Sequence, residues 1–328
     1  SLAQLPSLSS LSRLDAGNNQ LTSLAGLESA TNLESLRLSN NRLSSLAGFP
    51  SLSTLSELNV GTNQLTSLDG LQSLSSLEYL YAYGNQLTSL TGLPASPSLY
   101  DLDVGNNRLT SLDGLQSVSS LTYLDANNNQ LTTLEGLPLL ENLQSLHIGN
   151  NRLTSLAGIE GAINLNSLDV SGCRLTSLNE IPNLSNLRSL SANNNRLTSL
   201  AELESASGME SLYIGSNQIT SLAGIPPNLQ RLSAENNRLA ALTGLESSFG
   251  LEGLFLSGNQ LTDLAGLPAN LRDLSVGANP LNSLTGLISC TNLEYLDLSS
   301  GHLTSDMLNT IPALPYLREL YLADNQLT

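Results

Sequence analysis

Apolar positions return along this chain on a fixed beat. Leu11, Leu33, Leu55, Leu77, Leu99, Leu121, Leu143, Leu165, Leu187 and Met209 stand 22 residues apart, and Leu229, Leu251, Leu271, Leu293 and Leu317 continue the series with steps of 20, 22, 20, 22 and 24. Each step reads L-x-x-L-x-[LVIA]-x-x-N-x-L-x-x-L-x-x-L, giving 14 complete units, with a half unit before them (Leu2, Leu5, Leu8) and one that runs out at NQLT. Self-similarity of this period predicts a solenoid, in which every unit is one coil that buries its apolar side against the coils above and below. The last two apolar residues of L-x-x-L-x-L are two apart, so each coil should contribute one short strand, ~4.8 Å from the next. A buried turn must then follow. The recurrent asparagine is expected to sit inside it and satisfy backbone groups of its own and the neighbouring coil. This ladder runs Asn19, Asn41, Asn63, Asn85, Asn107, Asn129, Asn151, Asn195, Asn217, Asn237, Asn259, Asn279 and Asn325, and is broken by Cys173 and Gly301.

The pattern resembles the leucine-rich repeat family over essentially the whole chain. That resemblance implies a curved right-handed coil with a parallel β-sheet on its concave face, and a buried structural role for Cys173. Units such as NQLTSLAGLESATNLESL resemble the 22-residue repeats of internalins and Sds22-type proteins. IPPNLQRLSAENNRL and LPANLRDLSVGANPL resemble the 20-residue repeats of bacterial secreted effector ligases. The mixture implies a bacterial protein in a secreted or cell-surface setting. Units this short leave too little chain for a full helix on the convex side. Short 3₁₀ or extended segments are expected there, with turns at Gly26, Gly48, Gly70, Gly92 and Gly114. The 24-residue unit containing LTSDMLNTIPALPYL differs: Ser305 or Asp306 is expected to cap a helical turn through Met307 and Leu308. Residues 1–328 read as a single array of about 15 repeats, cut mid-repeat at both ends and so a fragment.

The repeat fixes which side chains face inward. In LEYLYAYGN the inward residues are Leu77, Leu80 and Ala82, so Tyr79, Tyr81 and Tyr83 point out onto the exposed sheet. Tyr100 and Tyr123 are expected to share that outward surface, with Tyr213, Tyr295 and Tyr321 further along. That places eight of the nine tyrosines on one face, and leaves only Tyr316 elsewhere. Tyrosine offers rigid contact area with a polar tip, which suits a binding hot spot. The rings could also serve simply to shield the sheet, since tyrosine is a common strand residue. The outward positions from Leu55 to Pro182 also carry Glu57, Glu78, Asp101, Asp103, Asp125 and Asp169. Arg13, Arg37, Arg188, Arg231, Arg272 and Arg318 are expected on the same face but outside this window. His147 continues the column Asp103, Asp125, Asp169. Tyr79, Tyr81, Tyr83, Tyr100, Asp101, Asp103, Tyr123, Asp125, His147 and Asp169 are therefore the candidate partner-binding residues.

Charge narrows the partner. Twelve arginines, no lysine and 28 carboxylates give a net charge of −16, which disfavours nucleic acid and anionic membranes and favours a protein or peptide with basic features. No apolar run approaches the ~20 residues that span a bilayer. SLAQLPSLSS lacks the basic and apolar regions of a signal peptide. No nucleophile–base pair, metal-ligand cluster or phosphate loop is discernible, so no enzyme activity, metal or cofactor is expected. Aspartates in a flat column enclose a Ca²⁺ poorly. The leading reading is a non-catalytic recognition scaffold. One alternative is the recognition arm of a larger effector enzyme. Another is an ice- or surface-binding protein, whose hydroxyl array would be Thr22, Thr66, Thr88, Thr110, Thr132, Thr154, Thr176 and Thr198, unless those hydroxyls bond local backbone.

Overall fold

The computed structural model describes residues 1–246 and 248–328. The chain divides into two units, Ser1–Leu165 and Asn166–Thr328. Each is a stack of coils with one three-residue parallel strand per coil and little helix. In the first unit the strands are β1 (Arg13–Asp15), β2 (Ser35–Arg37), β3 (Glu57–Asn59), β4 (Tyr79–Tyr81), β5 (Asp101–Asp103), β6 (Tyr123–Asp125) and β7 (Ser145–His147), paired in chain order. In the second they are β8 (Ser167–Asp169), β9 (Ser189–Ser191), β10 (Ser211–Tyr213), β11 (Arg231–Ser233), β12 (Gly253–Phe255), β13 (Asp273–Ser275), β14 (Tyr295–Asp297) and β15 (Glu319–Tyr321), also in order.

Register follows from the leucines. The central residue of each strand is a leucine that points inward, and those of β2 to β7 are at most 1% exposed. In the second unit Arg231 aligns with Ser211, 20 residues back, while Glu319 aligns with Tyr295, 24 residues back. Differences in repeat length are thus absorbed away from the strands, because a one-residue slip would turn every inward leucine to solvent. The segments opposite the sheet are short 3₁₀ turns or extended chain, as expected; Leu115–Ser117, Ile159–Gly161 and Thr285–Ser289 are examples. Gly70 shows why glycine is required in the turns leading into them: φ is 112° and an added Cβ would lie 2.1 Å from the Leu46 carbonyl oxygen. The helical turn of the 24-residue repeat spans Ser305–Leu308, with Thr304 at its N-cap. Neither Ser305 nor Asp306 caps it. Ser305 is already inside the turn, and its hydroxyl donates to the Thr328 carbonyl at 3.0 Å.

The asparagine ladder forms as the turn physics demands. Asn107 donates through Nδ2 to the carbonyls of Ala82, Val104 and Gly105 at 3.0–3.2 Å, and its Oδ1 accepts the Leu87 N–H at 3.0 Å. One amide therefore closes its own turn and the turn of the coil below. Cys173 occupies a ladder position and is buried. Cys290 is also buried, 3.5 Å from the Pro268 carbonyl oxygen.

Three further columns are structural, and the repeat reading did not separate them. The residue before each ladder asparagine is left-handed: Asn40 has φ 56°, Asn106 55° and Gly84 64°. Asparagine and glycine tolerate that region, whereas the β-branched Thr62, at φ 52°, does so under strain. A second asparagine set (Asn32, Asn142, Asn228, Asn270) donates to a carbonyl of the preceding coil at 2.7–3.1 Å. The serine of L-T-S-L accepts the N–H two residues on, as Ser23, Ser155 and Ser199 do.

Two stability tests follow. Asn107→Ala leaves several buried backbone groups unpaired at ~1–3 kcal/mol each, so its urea midpoint should fall sharply. Asn19→Ala should cost far less, because Asn19 is exposed and donates only to Ala16 and Gly17. Thr62→Asn relieves the left-handed strain and should raise unfolding free energy by about 1 kcal/mol; an unchanged or lower midpoint contradicts the assignment.

Candidate functional site

Every strand of the first unit presents two outward residues on either side of its central leucine, which is buried in all but β1. The first column reads Arg13, Ser35, Glu57, Tyr79, Asp101, Tyr123, Ser145, and the second Asp15, Arg37, Asn59, Tyr81, Asp103, Asp125, His147. Tyr79 aligns with Asp101 and Asp101 with Tyr123, while Tyr81, Asp103, Asp125 and His147 align in turn. From β3 through β7 no strand position carries an arginine.

The second column has a local duty. Asp15, Asn59, Asp103 and Asp125 each accept, through Oδ1, the backbone N–H two residues on at 2.8–2.9 Å. These Asx turns bend the chain out of the strand into the buried turn. One oxygen of each of the three carboxylates, and the amide oxygen of Asn59, is thus spent on the fold. Asp169, on the first strand of the second unit, does the same with the Ser171 N–H.

Asp101 stands differently. Its Oδ2 accepts the Tyr81 hydroxyl at 3.3 Å, and its Oδ1 is shielded from solvent with no hydrogen-bond partner. Burial holds the Asp101 carboxyl above its usual range, although the Tyr81 bond pulls the other way. Burial, then Asp101, pushes the Tyr81 phenol up to about 12. Asp103 is raised to about 6, first by burial and further by Asp125 and Asp101, against the opposing Gly105 N–H bond. Tyr123 is raised by burial and then by Asp125. Its ring leans on His147, with centroids 5.2 Å apart.

Tyr83 lies two residues past Tyr81 and continues the alternation outward. Its ring covers Gly61, where an added Cβ would lie 2.5 Å from a ring carbon. Tyr100 departs from the expectation. It sits one residue ahead of β5, in the same column as Glu34, Glu78 and Gln144, so strand alternation does not place it on the sheet face. Arg188, Arg272 and Arg318 likewise precede their strands, and Arg272 and Arg318 bridge Glu294 at 3.6 and 3.5 Å along that flanking column. Sheet positions therefore hold six tyrosines: Tyr79, Tyr81 and Tyr123 in the first unit, and Tyr213, Tyr295 and Tyr321 in the second.

Elsewhere on the first unit, a cavity of about 380 Å³ is lined by Arg13, Ser35, Arg37 and Glu57. Burial alone would raise the Glu57 carboxyl, but bonds from Arg37 and Ser35, both at 2.9 Å, bring it below its usual range. On the second unit Arg231 lies over the Phe255 ring, 4.3 Å from its centroid and 4.0 Å from Asp273. The threonines of L-T-S-L, Thr22 to Thr198, are exposed, and none of their hydroxyls is bonded within the protein. Their serine neighbours make the local backbone bonds instead. Long side chains of Arg108, Arg152 and Arg196 stand two residues away, so this row is not a uniform hydroxyl surface. Among the described residues no group of three His, Cys, Asp or Glu side chains could hold a metal ion, and no helix is long and apolar enough to cross a membrane.

The family model for leucine rich repeats (2 copies) matches residues 9–53, 31–73, 75–117, 97–139, 119–161, 141–184 and 185–227. Among curated proteins, none matches the chain by sequence. Among solved structures, a leucine-rich-repeat protein of Leptospira interrogans is 26% identical with a TM-score of 0.81, over 98% of this chain and 92% of that one. YopM, a leucine-rich effector protein from Yersinia pestis, is 31% identical with a TM-score of 0.64, over 96% of this chain and 78% of its own. An internalin from Listeria monocytogenes shares the fold at 23% identity and a TM-score of 0.70, over 98% of this chain and 83% of its own. Proteins of this fold generally serve as non-catalytic scaffolds for protein–protein interaction. With its repeat register, asparagine ladder and parallel strands in place, the chain belongs to the leucine-rich repeat family.

Proposed function

We propose that the chain is a non-catalytic recognition module that holds a protein or peptide with basic features on the sheet face of its first unit. The contact is centred on Tyr79, Tyr81, Asp101, Asp103, Tyr123, Asp125 and His147. The observation that carries this reading is the conjunction on β4 to β6. There, three tyrosines and three aspartates share the outward positions and no arginine of the sheet neutralises them. Aromatic faces beside carboxylates attract guanidinium and ammonium groups. Tyr83 extends the aromatic surface past the strand end. Tyr100 and Asp169 are peripheral to it, the first on the flanking column and the second on the other unit. A second reading, the recognition arm of a bacterial effector, is favoured by the likeness to YopM. Reading the gene on either side of the chain checks it: an adjoining catalytic domain supports that reading, and repeats alone contradict it.

The surface is held at some expense to the fold. Asp103 titrates near pH 6 in the folded protein against 3.8 for an ordinary aspartate. Between those values the folded chain binds more protons than the unfolded one, so this group makes stability fall as pH rises from ~4 to ~6 and leaves it lower above that. Asp103→Asn keeps the Asx turn, as Asn59 does with the Gly61 N–H. It should raise the melting temperature at pH 7.5 and leave it unchanged at pH 4. An equal shift at both pH values would show that the Asp103 charge is not the cause. For function, Tyr81→Ala combined with Asp103→Ala should abolish capture of the native partner while circular dichroism is retained. Undiminished capture would rule out this face.

A further inference from the structure

The second unit shows what this lattice does with an arginine. Arg231 on β11 lays its guanidinium 4.3 Å from the Phe255 ring centroid on β12 and 4.0 Å from the Asp273 carboxylate on β13. Gly253, on the strand between Arg231 and Asp273, puts no side chain in this path; an added Cβ there would press on the Phe255 ring at 3.2 Å and touch Arg231 side-chain atoms at 3.5 Å. Phe255 and Asp273 stand in a fixed relation. The ring is at the second outward position of one strand and the carboxylate at the first outward position of the next.

Tyr81 on β4 and Asp101 on β5 stand in that same relation within the first unit. Here the sheet supplies no arginine. The position equivalent to Arg231 is Glu57, both of whose oxygens are occupied by Arg37 and Ser35. The position equivalent to Gly253 is Tyr79, so the path along the sheet that Arg231 takes is closed here by a side chain and a guanidinium must enter from solvent, between Tyr79 and Tyr123 on the far side of Asp101 in the same column. Tyr79 and Tyr123 are two strands apart, roughly 9.6 Å. A cation seated over Asp101 stands one strand spacing, ~4.8 Å, from the backbone positions of both tyrosines, a separation that their rings can span. Of the Asp101 oxygens, Oδ2 accepts the Tyr81 hydroxyl at 3.3 Å, while Oδ1 has no partner within the protein and is covered, so an entering guanidinium pairs with it by displacing the side chain above it.

We propose that Tyr79, Tyr81 and Tyr123 wall a slot for one arginine side chain of the partner, with Asp101 as its floor. This proposal rests on the reading of the sheet face as a basic-partner surface and names the group that enters it. Guanidinium is the better occupant than ammonium on two grounds. Its flat faces stack on phenol rings, and its planar N–H fork reaches past them to a carboxylate oxygen. On the second unit Arg231 already stacks on one ring, Phe255, with a carboxylate 4.0 Å away.

The test uses the protein labelled with ¹³C on its tyrosine rings, few enough at nine to assign individually. It is titrated with acetyl-Gly-Gly-Arg-Gly-Gly-amide and with counterparts carrying citrulline, lysine or trimethyllysine in place of arginine. The arginine peptide should shift the ring signals of Tyr79, Tyr81 and Tyr123, leave Tyr316 unmoved, and bind about tenfold tighter than the citrulline peptide. Asp101→Asn should erase that preference, with unchanged Tyr213, Tyr295 and Tyr321 signals showing that the variant is folded. Should the variant fail to fold, the arginine-to-citrulline ratio on the native chain still decides. A preference for lysine or trimethyllysine, or an arginine preference that survives Asp101→Asn, overturns the slot while leaving basic recognition standing; equal binding of the uncharged citrulline peptide overturns both. If no basic peptide moves these three rings, the surface reading fails along with the slot.

Discussion

A buried turn with every backbone group satisfied is the condition on which this molecule rests. Each coil leaves its strand and turns immediately inside the stack, where water cannot reach the exposed carbonyls and N–H groups. One asparagine amide meets the demand by donating to its own turn and to the coil before it, and by accepting an N–H from that coil. Because the same side chain serves two consecutive coils, it locks their phase as well as filling hydrogen bonds. The leucines then have no choice of face. Once they are inward, the residues between them are outward, and the identity of the sheet surface is settled before any of its own side chains interact.

What remains for function is whatever that surface does not spend on the fold, and the spending can be followed atom by atom. The serines of L-T-S-L close local turns, whereas the threonines beside them do not. Most second-column aspartates give one oxygen to an Asx turn. Glu57 is consumed by Arg37 and Ser35. On β4 to β6 the unspent chemistry consists of the phenol faces, the second oxygens of Asp103 and Asp125, and the partnerless Oδ1 of Asp101. A carboxyl held well above its ordinary range, as Asp103 is, works against folding at neutral pH. Such a group is more readily understood as part of a binding surface than as part of the scaffold.

The leucine and asparagine columns made the coil, the strand and the inward phase legible in the sequence, because a period repeated this often admits one packing solution. The same period concealed finer roles. Asp103 and Asp125 read as charge for a partner, yet each also bends its strand, a duty visible only in the spacing to the N–H two residues on. The pattern left the position before each ladder asparagine unassigned, and the left-handed backbone at Asn18, Asn40 and Asn106 explains the recurrent asparagine pair. Tyr100 and Tyr123 were expected on one outward surface, yet they do not stand at the same distance from their opening leucines. Tyr100 follows by one residue and Tyr123 by two, and with a period of two that difference moves a side chain off the face. The diagonal Tyr81–Asp101 bond, and the orphaned oxygen it leaves, depend on side-chain reach across strands and had no signal in the sequence.

Hydroxyl-radical footprinting with and without an arginine-rich peptide, read out by mass spectrometry at each tyrosine, bears most directly on the claim that the first unit's sheet face is the docking surface. Protection concentrated at Tyr79, Tyr81 and Tyr123, with Tyr316 and Tyr100 oxidised as before, is the result predicted here. Protection at Tyr316 or Tyr100 instead, or an oxidation pattern that the peptide does not change, would contradict it.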